Sequence, residues 1–230
     1  MTRIIKKELS MNSAIDPVSG KLYEVEVWLK NCGNRREGIC QVCGDNVYLR
    51  ADKSEDRRTH FAHKKGSPCP TIVENHRPFE QLNASDTDLE NAKIVKLLIN
   101  SYSYLLYEKC KRMSESLTVK EFRELIEFAN TKGVWNYKGL TFTYVPYILL
   151  TCREKFSKKD SEFRKRDFYF VFDPNVKNVD ELWNDTKRKK QKLWKIYLSN
   201  DNSIVEYLID DSLEPEWFAF TKEFISKKLT

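Results

Sequence analysis

Hydrophobic and polar residues alternate near the start of the chain. Between Tyr23 and Leu29, apolar side chains occupy every second position, with glutamate or tryptophan between them. This period of two is typical of a strand with one buried face. Because Asp16-Pro-Val-Ser-Gly20 has the composition of a turn, the pattern predicts β structure for residues 1–30.

Two segments in the middle of the chain have the period of an amphipathic helix. In the first, apolar residues recur every three or four positions: Leu89, Ala92, Val95, Ile99, Tyr102 and Leu106. Ser85 or Asp86 is the expected N-cap of this helix. A second helix is predicted from Thr118, because Thr118-Val-Lys-Glu121 is a capping-box sequence, to Gly133, a residue type that often ends helices.

Four apolar segments follow and predict strands: residues 140–150, 168–172, 193–198 and 204–209. Pro146 indicates that the first lies at a sheet edge or contains a bulge. The second is apolar on both faces, so we expect it at the centre of the sheet. The last two are predicted to form a hairpin, and a final helix is predicted from Pro215.

The spacing of cysteine and histidine between residues 40 and 69 predicts a metal site. Cys40-Gln-Val-Cys43-Gly44 places two thiolates three positions apart at a turn, and His63 and Cys69 enclose a second short loop. A predicted strand at residues 46–50 lies between them, which is the layout of a zinc ribbon. Three thiolates and an imidazole favour zinc over calcium, magnesium or manganese. Because four protein ligands close the site, we expect this zinc to be structural.

Two other residues are alternative ligands. His60 and His63 are three positions apart, and on a strand their rings would point to opposite faces. His63 is favoured because it is closer in sequence to Cys69. Cys32, which precedes the first loop, is a weaker alternative.

The order of these elements predicts an α+β fold. It consists of an N-terminal β segment with a zinc ribbon, two helices, a mostly antiparallel sheet and a C-terminal helix. We expect residues 1–75 to form a domain with the β segment and zinc ribbon, and residues 76–230 to form an α+β domain.

Composition narrows the class of protein. The chain has 230 residues, 40% of them hydrophobic and 13% aromatic, which is enough for a substantial core. No apolar run approaches the length of a membrane helix, and the first eight residues carry charges where a signal peptide needs an apolar stretch. We therefore expect a cytoplasmic protein with no membrane partner and no disulfides among its six cysteines. The formal net charge of +6 favours anionic partners.

The metal-site residues resemble a known family. Cys40-x-x-Cys43, a spacer, His60-Phe-Ala-His63 and Cys69, followed by a long helix, are similar to the N-terminal part of the competence protein CoiA-like family. Those proteins carry a zinc-finger-like segment with a Phe-Ala-His signature and are grouped with nucleases of the PD-(D/E)xK type. The resemblance covers about residues 20–100 and implies the same four zinc ligands, Cys40, Cys43, His63 and Cys69.

The resemblance also implies Mg²⁺-dependent DNA cleavage. That chemistry needs two acidic groups that hold Mg²⁺ and a lysine that positions or activates water. Asp173 together with Asp185-Thr-Lys187 is the best match. Because Asp185 follows a sequence typical of a loop or short helix, both an active and a degenerate nuclease are considered, and Mg²⁺ is expected only for the active one.

Basic residues in two places are candidate nucleic-acid contacts. One group lies beside the predicted ribbon and the other precedes the third predicted strand of the sheet: Arg57, Arg58, Lys64, Lys65, Lys187, Arg188, Lys189 and Lys190. Such side chains neutralise phosphates. A further basic run at residues 153–166 also contains acidic residues, so the run at 187–192 is the better candidate.

Together these patterns predict a zinc-stabilised protein that associates with DNA or RNA and is related to degenerate nucleases. One alternative is a protein-interaction adaptor or sensor subunit of a bacterial assembly, with the aromatic residues of the last third supplying its surface. The other alternative is an active Mg²⁺-dependent DNA nuclease.

Overall fold

The computed structural model describes residues 11–54, 58–76, 86–176, 178–183, 191–198, 203–210 and 212–229. These residues form an α+β fold with two antiparallel sheets, which confirms the predicted fold class. They group into two compact units. The first comprises the described parts of Met1–Gln81, Arg153–Lys177 and Lys192–Tyr207, and the second those of Leu82–Cys152, Asn178–Gln191 and Leu208–Thr230.

The first unit begins with a five-stranded antiparallel sheet. Its strands are β1 Ser13–Ile15, β2 Leu22–Glu24, β3 Glu37–Ile39, β4 Asn46–Arg50 and β5 His60–Ala62. They lie in the order β2-β1-β3-β4-β5. Met11 exchanges backbone hydrogen bonds of 3.0 and 2.8 Å with Phe61 of β5. The outer edge of β5 therefore meets the chain just before β1, and the sheet curls.

A second antiparallel sheet belongs to the same unit, apart from the last residue of its third strand. It consists of β6 Phe168–Phe172, β7 Lys192–Tyr197 and β8 Ile204–Leu208, with β7 in the middle. The predicted central position of β6 is therefore wrong. All five of its residues are nevertheless buried, and Phe156 pairs with Phe168 outside the β6–β7 ladder. An edge strand that is covered by residues from outside its sheet has the same continuous apolar sequence as a strand at the centre.

Both sheets contribute to one hydrophobic core. Trp28 and Phe61 from the N-terminal residues and Tyr169 and Trp194 from the second sheet are buried in it. The rings of Trp28 and Phe61 meet edge to face, with centroids 4.9 Å apart. Burial of one such side chain contributes about 1.5–3 kcal/mol. The expected domains, 1–75 and 76–230, are continuous segments, whereas this shared core brings later segments into the first unit.

Residues after β2 form helix α1, Val25–Asn31, and not the predicted strand. Val25 and Trp28 are its buried residues, whereas Val27 and Leu29 are exposed. On a strand, residues 25 and 28 would face opposite sides, and only the helical period places both on one face. The short apolar pattern fits either period, so the sequence does not separate the two.

The second unit is mostly helical. Its helices are α2 Leu89–Ser101, α3 Ser103–Ser114, α4 Val119–Thr131, α5 Val145–Thr151 and α6 Ala219–Leu229. The single helix predicted over residues 89–106 is divided at Tyr102, whose φ of −121° and ψ of 29° leave the helical range. Within the described part of the chain, no helix combines the length and apolar character needed to cross a bilayer.

Of the N-caps predicted for the first two helices, the one at Thr118 is confirmed and the one at Asp86 is wrong. For α4 the capping box is confirmed, because the Thr118 hydroxyl accepts from the Glu121 amide (3.2 Å) and the Glu121 carboxylate accepts from the Thr118 amide (3.0 Å). For α2 the cap is Asp88, whose carboxylate accepts hydrogen bonds from two amides of the first turn. The cap is therefore not Asp86, and Ser85 lies outside the described residues.

Residues 142–151 are helical, which contradicts the strand predicted at 140–150. A short 3₁₀ helix, Phe142–Tyr144, leads into α5, and all seven residues of α5 are buried. Pro146 lies in the first turn, where an amide hydrogen has no helical acceptor to lose. A helix that is buried on all sides shows the same continuous apolar run as a buried strand.

Gly38 in β3 provides a test of how tightly the first unit is packed. A Cβ atom at this position would lie 2.8 Å from Ala14 Cβ and 3.0 Å from Trp28 Cη2. We expect Gly38→Ala to lower the free energy of unfolding by about 1–3 kcal/mol, as measured by urea denaturation. The exchange variant Ala14→Gly/Gly38→Ala should regain part of that loss. Equal stability of Gly38→Ala and the wild type would contradict this packing.

Candidate metal centre

The first ligand pair lies in the turn between β3 and β4. Cys40 directly follows β3, and its amide donates to the Asp45 carbonyl (2.8 Å), while the Gly44 amide donates to the Cys40 carbonyl (2.9 Å). Gly44 has a φ of +78°, a left-handed conformation that glycine adopts without steric cost. This tight turn brings Cys43 back toward Cys40.

The second ligand pair follows β5. His63 comes directly after this strand, and Cys69 ends the loop that leads away from it. The side-chain amide of Asn75 donates to the carbonyls of Ser67 (2.6 Å) and Cys69 (3.0 Å). Asn75 therefore holds the loop that carries Cys69 in place.

The structure brings these four side chains together. One ligand atom from each of Cys40, Cys43, His63 and Cys69 lies within 4.8 Å of all the others. The sulfurs of Cys40 and Cys69 are 3.9 Å apart, and Cys43 Sγ is 3.3 Å from His63 Nε2. In a tetrahedral zinc site, bond lengths of about 2.0–2.3 Å imply sulfur–sulfur edges of about 3.8 Å and sulfur–nitrogen edges of about 3.6 Å. The two separations are therefore close to those of one tetrahedral ion.

The surroundings of the site suit charged sulfur atoms. Cys40 and Cys69 are only 1% and 2% exposed, whereas Cys43 and His63 are partly exposed. Backbone amides point at two of the sulfurs: that of Val42 lies 3.4 Å from Cys40 Sγ, and that of Asp45 lies 3.5 Å from Cys43 Sγ. Donors around the ligands orient them and stabilise thiolates.

The pKa values of the two buried thiols are shifted in opposite directions. A hydrogen bond from the Cys40 thiol, followed by one from Cys43, lowers the pKa of Cys69. Hydrogen bonds with Cys43 and Cys69, followed by burial, raise the pKa of Cys40. A divalent ion bound here would displace the remaining thiol protons, because metal-bound cysteine is a thiolate.

The alternative ligands lie outside this cluster. His60 is in β5, and its Nδ1 is 2.9 Å from the carbonyl oxygen of Arg58. Cys32 is the buried residue that follows α1. The structure therefore places His63, rather than His60, with the three cysteines.

The predicted nuclease residues are only partly described. Asp173 follows β6, and its carboxylate accepts hydrogen bonds from the amide (2.9 Å) and the side chain (2.8 Å) of Asn175. This is the local bonding of a turn-forming aspartate. Asp185 and Lys187 lie outside the described residues, so their position beside Asp173 stays a prediction.

Among the predicted nucleic-acid contacts, Arg58, Lys64 and Lys65 are exposed. The remaining ones lie outside the described residues: Arg57, Lys187, Arg188, Lys189 and Lys190.

One contact of the metal-site loop has no signal in the sequence. The hydroxyl of Tyr169, in β6, donates to the carbonyl of Pro70 (2.7 Å), the residue that follows Cys69. The Tyr169 ring also stacks on His76 at 4.1 Å. Burial raises the pKa of Tyr169, which keeps the phenol protonated as a donor. The loop is thereby attached to the second sheet across about a hundred residues of sequence.

Comparisons with known proteins identify no relative. The chain matches no protein-family model, no curated protein and no solved structure.

We expect the purified protein to bind one divalent metal ion per chain at this centre. Cys69→Ser should abolish stoichiometric binding, because it removes a buried thiolate, whereas the control His60→Ala should retain it. Binding should weaken as pH falls below neutrality, since protons compete for the thiolates. Elemental analysis after dialysis measures the stoichiometry. Loss of the metal in His60→Ala but not in Cys69→Ser would overturn the ligand assignment.

Tyr169→Phe tests the attachment of the loop. The change leaves the ring in place but removes the only hydroxyl of the side chain, so the Pro70 carbonyl loses this donor. We expect the free energy of unfolding to fall by about 1–3 kcal/mol and the metal to be transferred to a chelator faster than in the wild type. Stability and transfer rates equal to those of the wild type would show that the hydrogen bond contributes little.

Proposed function

We propose that this chain is a zinc-stabilised protein that associates with nucleic acid. The proximity of the four ligand atoms of Cys40, Cys43, His63 and Cys69 carries the proposal. Three sulfurs and an imidazole nitrogen form a donor set that suits zinc and is poorly suited to magnesium or calcium. A reducing compartment such as the cytoplasm would keep these thiols available for the metal.

A structural role suits this zinc better than a catalytic one. Catalytic zinc keeps a position for water or substrate, with three protein ligands. Here four protein side chains are available, and two of the sulfurs are almost completely buried. A closed tetrahedral ion would join the β3–β4 turn to the loop after β5 and would stabilise strands that are only three to five residues long.

Basic side chains beside the metal centre support the nucleic-acid part of the proposal. Lys64 and Lys65 directly follow the ligand His63, and both are exposed. The Lys64 ammonium lies 5.3 Å from the centroid of the Tyr48 ring, a cation–π contact that positions the charge. Lys64 and neighbouring residues line a cleft of about 280 Å³: Asp45, Asn46, Tyr48, His63, Lys64 and Ser67. The resemblance to CoiA-like proteins supports the same conclusion from the sequence.

Cleavage of DNA is not part of the leading proposal. A PD-(D/E)xK nuclease needs two acids and a lysine around Mg²⁺. Of the predicted residues, Asp173 is bonded to its own turn, and Asp185 follows a sequence typical of a loop or short helix rather than a strand. We therefore propose a degenerate nuclease, with an active Mg²⁺-dependent enzyme as the alternative.

A second candidate function is a protein-interaction module, such as an adaptor or sensor subunit of a bacterial assembly. It is favoured by aromatic side chains of the last segment that are largely exposed: Trp217, Phe220 and Phe224. Exposed apolar residues that recur along a helix are typical of interaction surfaces.

Binding and cleavage assays on the same protein separate these candidates. We expect labelled DNA to bind with an affinity that falls steeply with salt, and to remain intact with Mg²⁺ or Mn²⁺ as it does with EDTA. Metal-dependent cutting that is lost in Asp173→Ala would establish the nuclease instead. The absence of both binding and cutting at low salt would favour the protein-interaction module.

Lysine-to-glutamine variants test whether Lys64 and Lys65 contact the phosphates of the nucleic acid. Lys64→Gln/Lys65→Gln should reduce the slope of log K against log salt by about 1.8 on duplex DNA, if each lysine neutralises one phosphate. The matched control is Lys120→Gln/Lys132→Gln, which removes two exposed lysines of the second unit. Equal slopes for both double variants would show that phosphate contacts lie elsewhere. Fluorescence anisotropy at several salt concentrations provides the slopes.

A further inference from the structure

An exposed phenylalanine lies at the tip of a turn in the first unit. The Arg164 amide donates to the Ser161 carbonyl (3.1 Å), which closes a turn with Glu162 and Phe163 at its two central positions. Phe163 is 84% exposed. This is the highest exposure among the large apolar side chains that the structure describes.

The residues around the tip form an ordered base, called here the 157–166 loop. Arg164 is only 5% exposed, and its guanidinium donates to the Ser157 carbonyl (2.7 Å). The same guanidinium lies 5.5 Å from the ring centroids of both Phe156 and Phe168. These contacts attach the loop to the core, so Phe163 is presented on a fixed support and little conformational entropy would be lost on binding.

The loop that carries Phe163 has an excess of positive charge. Residues 157–166 include five basic and two acidic residues. Lys158, Lys159 and Lys165 are exposed, and none of them has an ion pair with another described residue. One of the two acids, Asp160, is paired with Arg153 (3.1 Å). A ligand at this loop would therefore meet lysines whose charges are not neutralised within the described structure.

An exposed aromatic ring in a loop with exposed lysines fits one class of ligand. Unpaired bases stack on aromatic side chains while lysines contact the phosphates that link them, and the combination is independent of base sequence. A duplex keeps the faces of its bases stacked inside, so it offers Phe163 no comparable surface. The net charge of the loop is complementary to a polyanion and opposes the docking of a basic peptide.

We propose that the 157–166 loop binds an unpaired polynucleotide strand, with Phe163 stacking on a base and Lys158, Lys159 and Lys165 contacting phosphates. This inference rests on the proposed association with nucleic acid and specifies the form of the nucleic acid and the residues that hold it. It assigns a role to the basic run at residues 153–166 that the sequence pattern alone ranks below the run at 187–192.

Stacking is tested with single-residue variants of the full chain. Labelled oligo-dT and oligo-U of about 12 nucleotides, and a duplex of the same length, are titrated by fluorescence anisotropy. Phe163→Ala should weaken single-strand binding about tenfold, whereas Phe163→Trp should preserve it. The control Phe220→Ala removes a phenylalanine of similar exposure, 79%, and should leave the affinity unchanged. The oligo-dT and oligo-U titrations show whether DNA, RNA or both are bound.

The lysines are tested by salt dependence. Lys158→Gln/Lys159→Gln should reduce the salt slope on single strands by about 1.4, and Lys120→Gln/Lys132→Gln should not change it. Thermal unfolding confirms that each variant is folded, which is expected because the replaced side chains are exposed.

The outcomes separate this inference from the proposed function. Single-strand binding that is unaffected in Phe163→Ala, or a duplex affinity equal to that for single strands in every variant, would overturn the inference and leave nucleic-acid association standing. No binding to any nucleic acid would overturn both. Binding of anionic lipid vesicles in place of oligonucleotides, with the same dependence on Phe163, would also overturn it.

Discussion

The convergence of three cysteine sulfurs and one imidazole nitrogen is the constraint on which the first unit depends. The strands that carry these ligands are three to five residues long, and isolated strands of that length are not stable in water. An ion held by all four side chains would cross-link two turns and restrict the unfolded chain. Metal binding and folding would then be a single equilibrium. Cys40 and Cys69 belong to the hydrophobic core as well as to the candidate metal site.

The metal centre is not an independent module, because the second sheet supports it. Tyr169 donates to the backbone of the ligand-bearing loop, and its ring packs on His76. Trp194 of β7 lies in the same core as Trp28 and Phe61. A substitution in β6 would consequently affect the positions of the ligands although it replaces none of them. A zinc ribbon on its own would lack this support, and the second sheet would lose part of its cover.

The proposed functions depend on features at the surface rather than on the candidate metal centre itself. A closed Cys₃His site would offer substrates no coordination position, so a metal ion bound there would act through the shape of the protein. Three candidate surfaces are present: the basic side chains beside the metal centre, the 157–166 loop and the exposed aromatic residues of the last segment. The first two carry charge that suits phosphates, whereas the third suits an apolar partner. This difference makes the competing functions experimentally separable.

The sequence by itself determined features that depend on near neighbours. The ligand spacing of Cys40, Cys43, His63 and Cys69, the capping box at Thr118 and the α+β order follow from local periodicity and side-chain chemistry. Only the tertiary structure decided that residues 25–31 and 145–151 are helices, since each short apolar pattern fits two conformations and burial selects one of them. It also decided that Tyr169 supports Pro70 and that Phe163 is exposed. Contacts between distant segments depend on how the whole chain packs, and no local pattern encodes them.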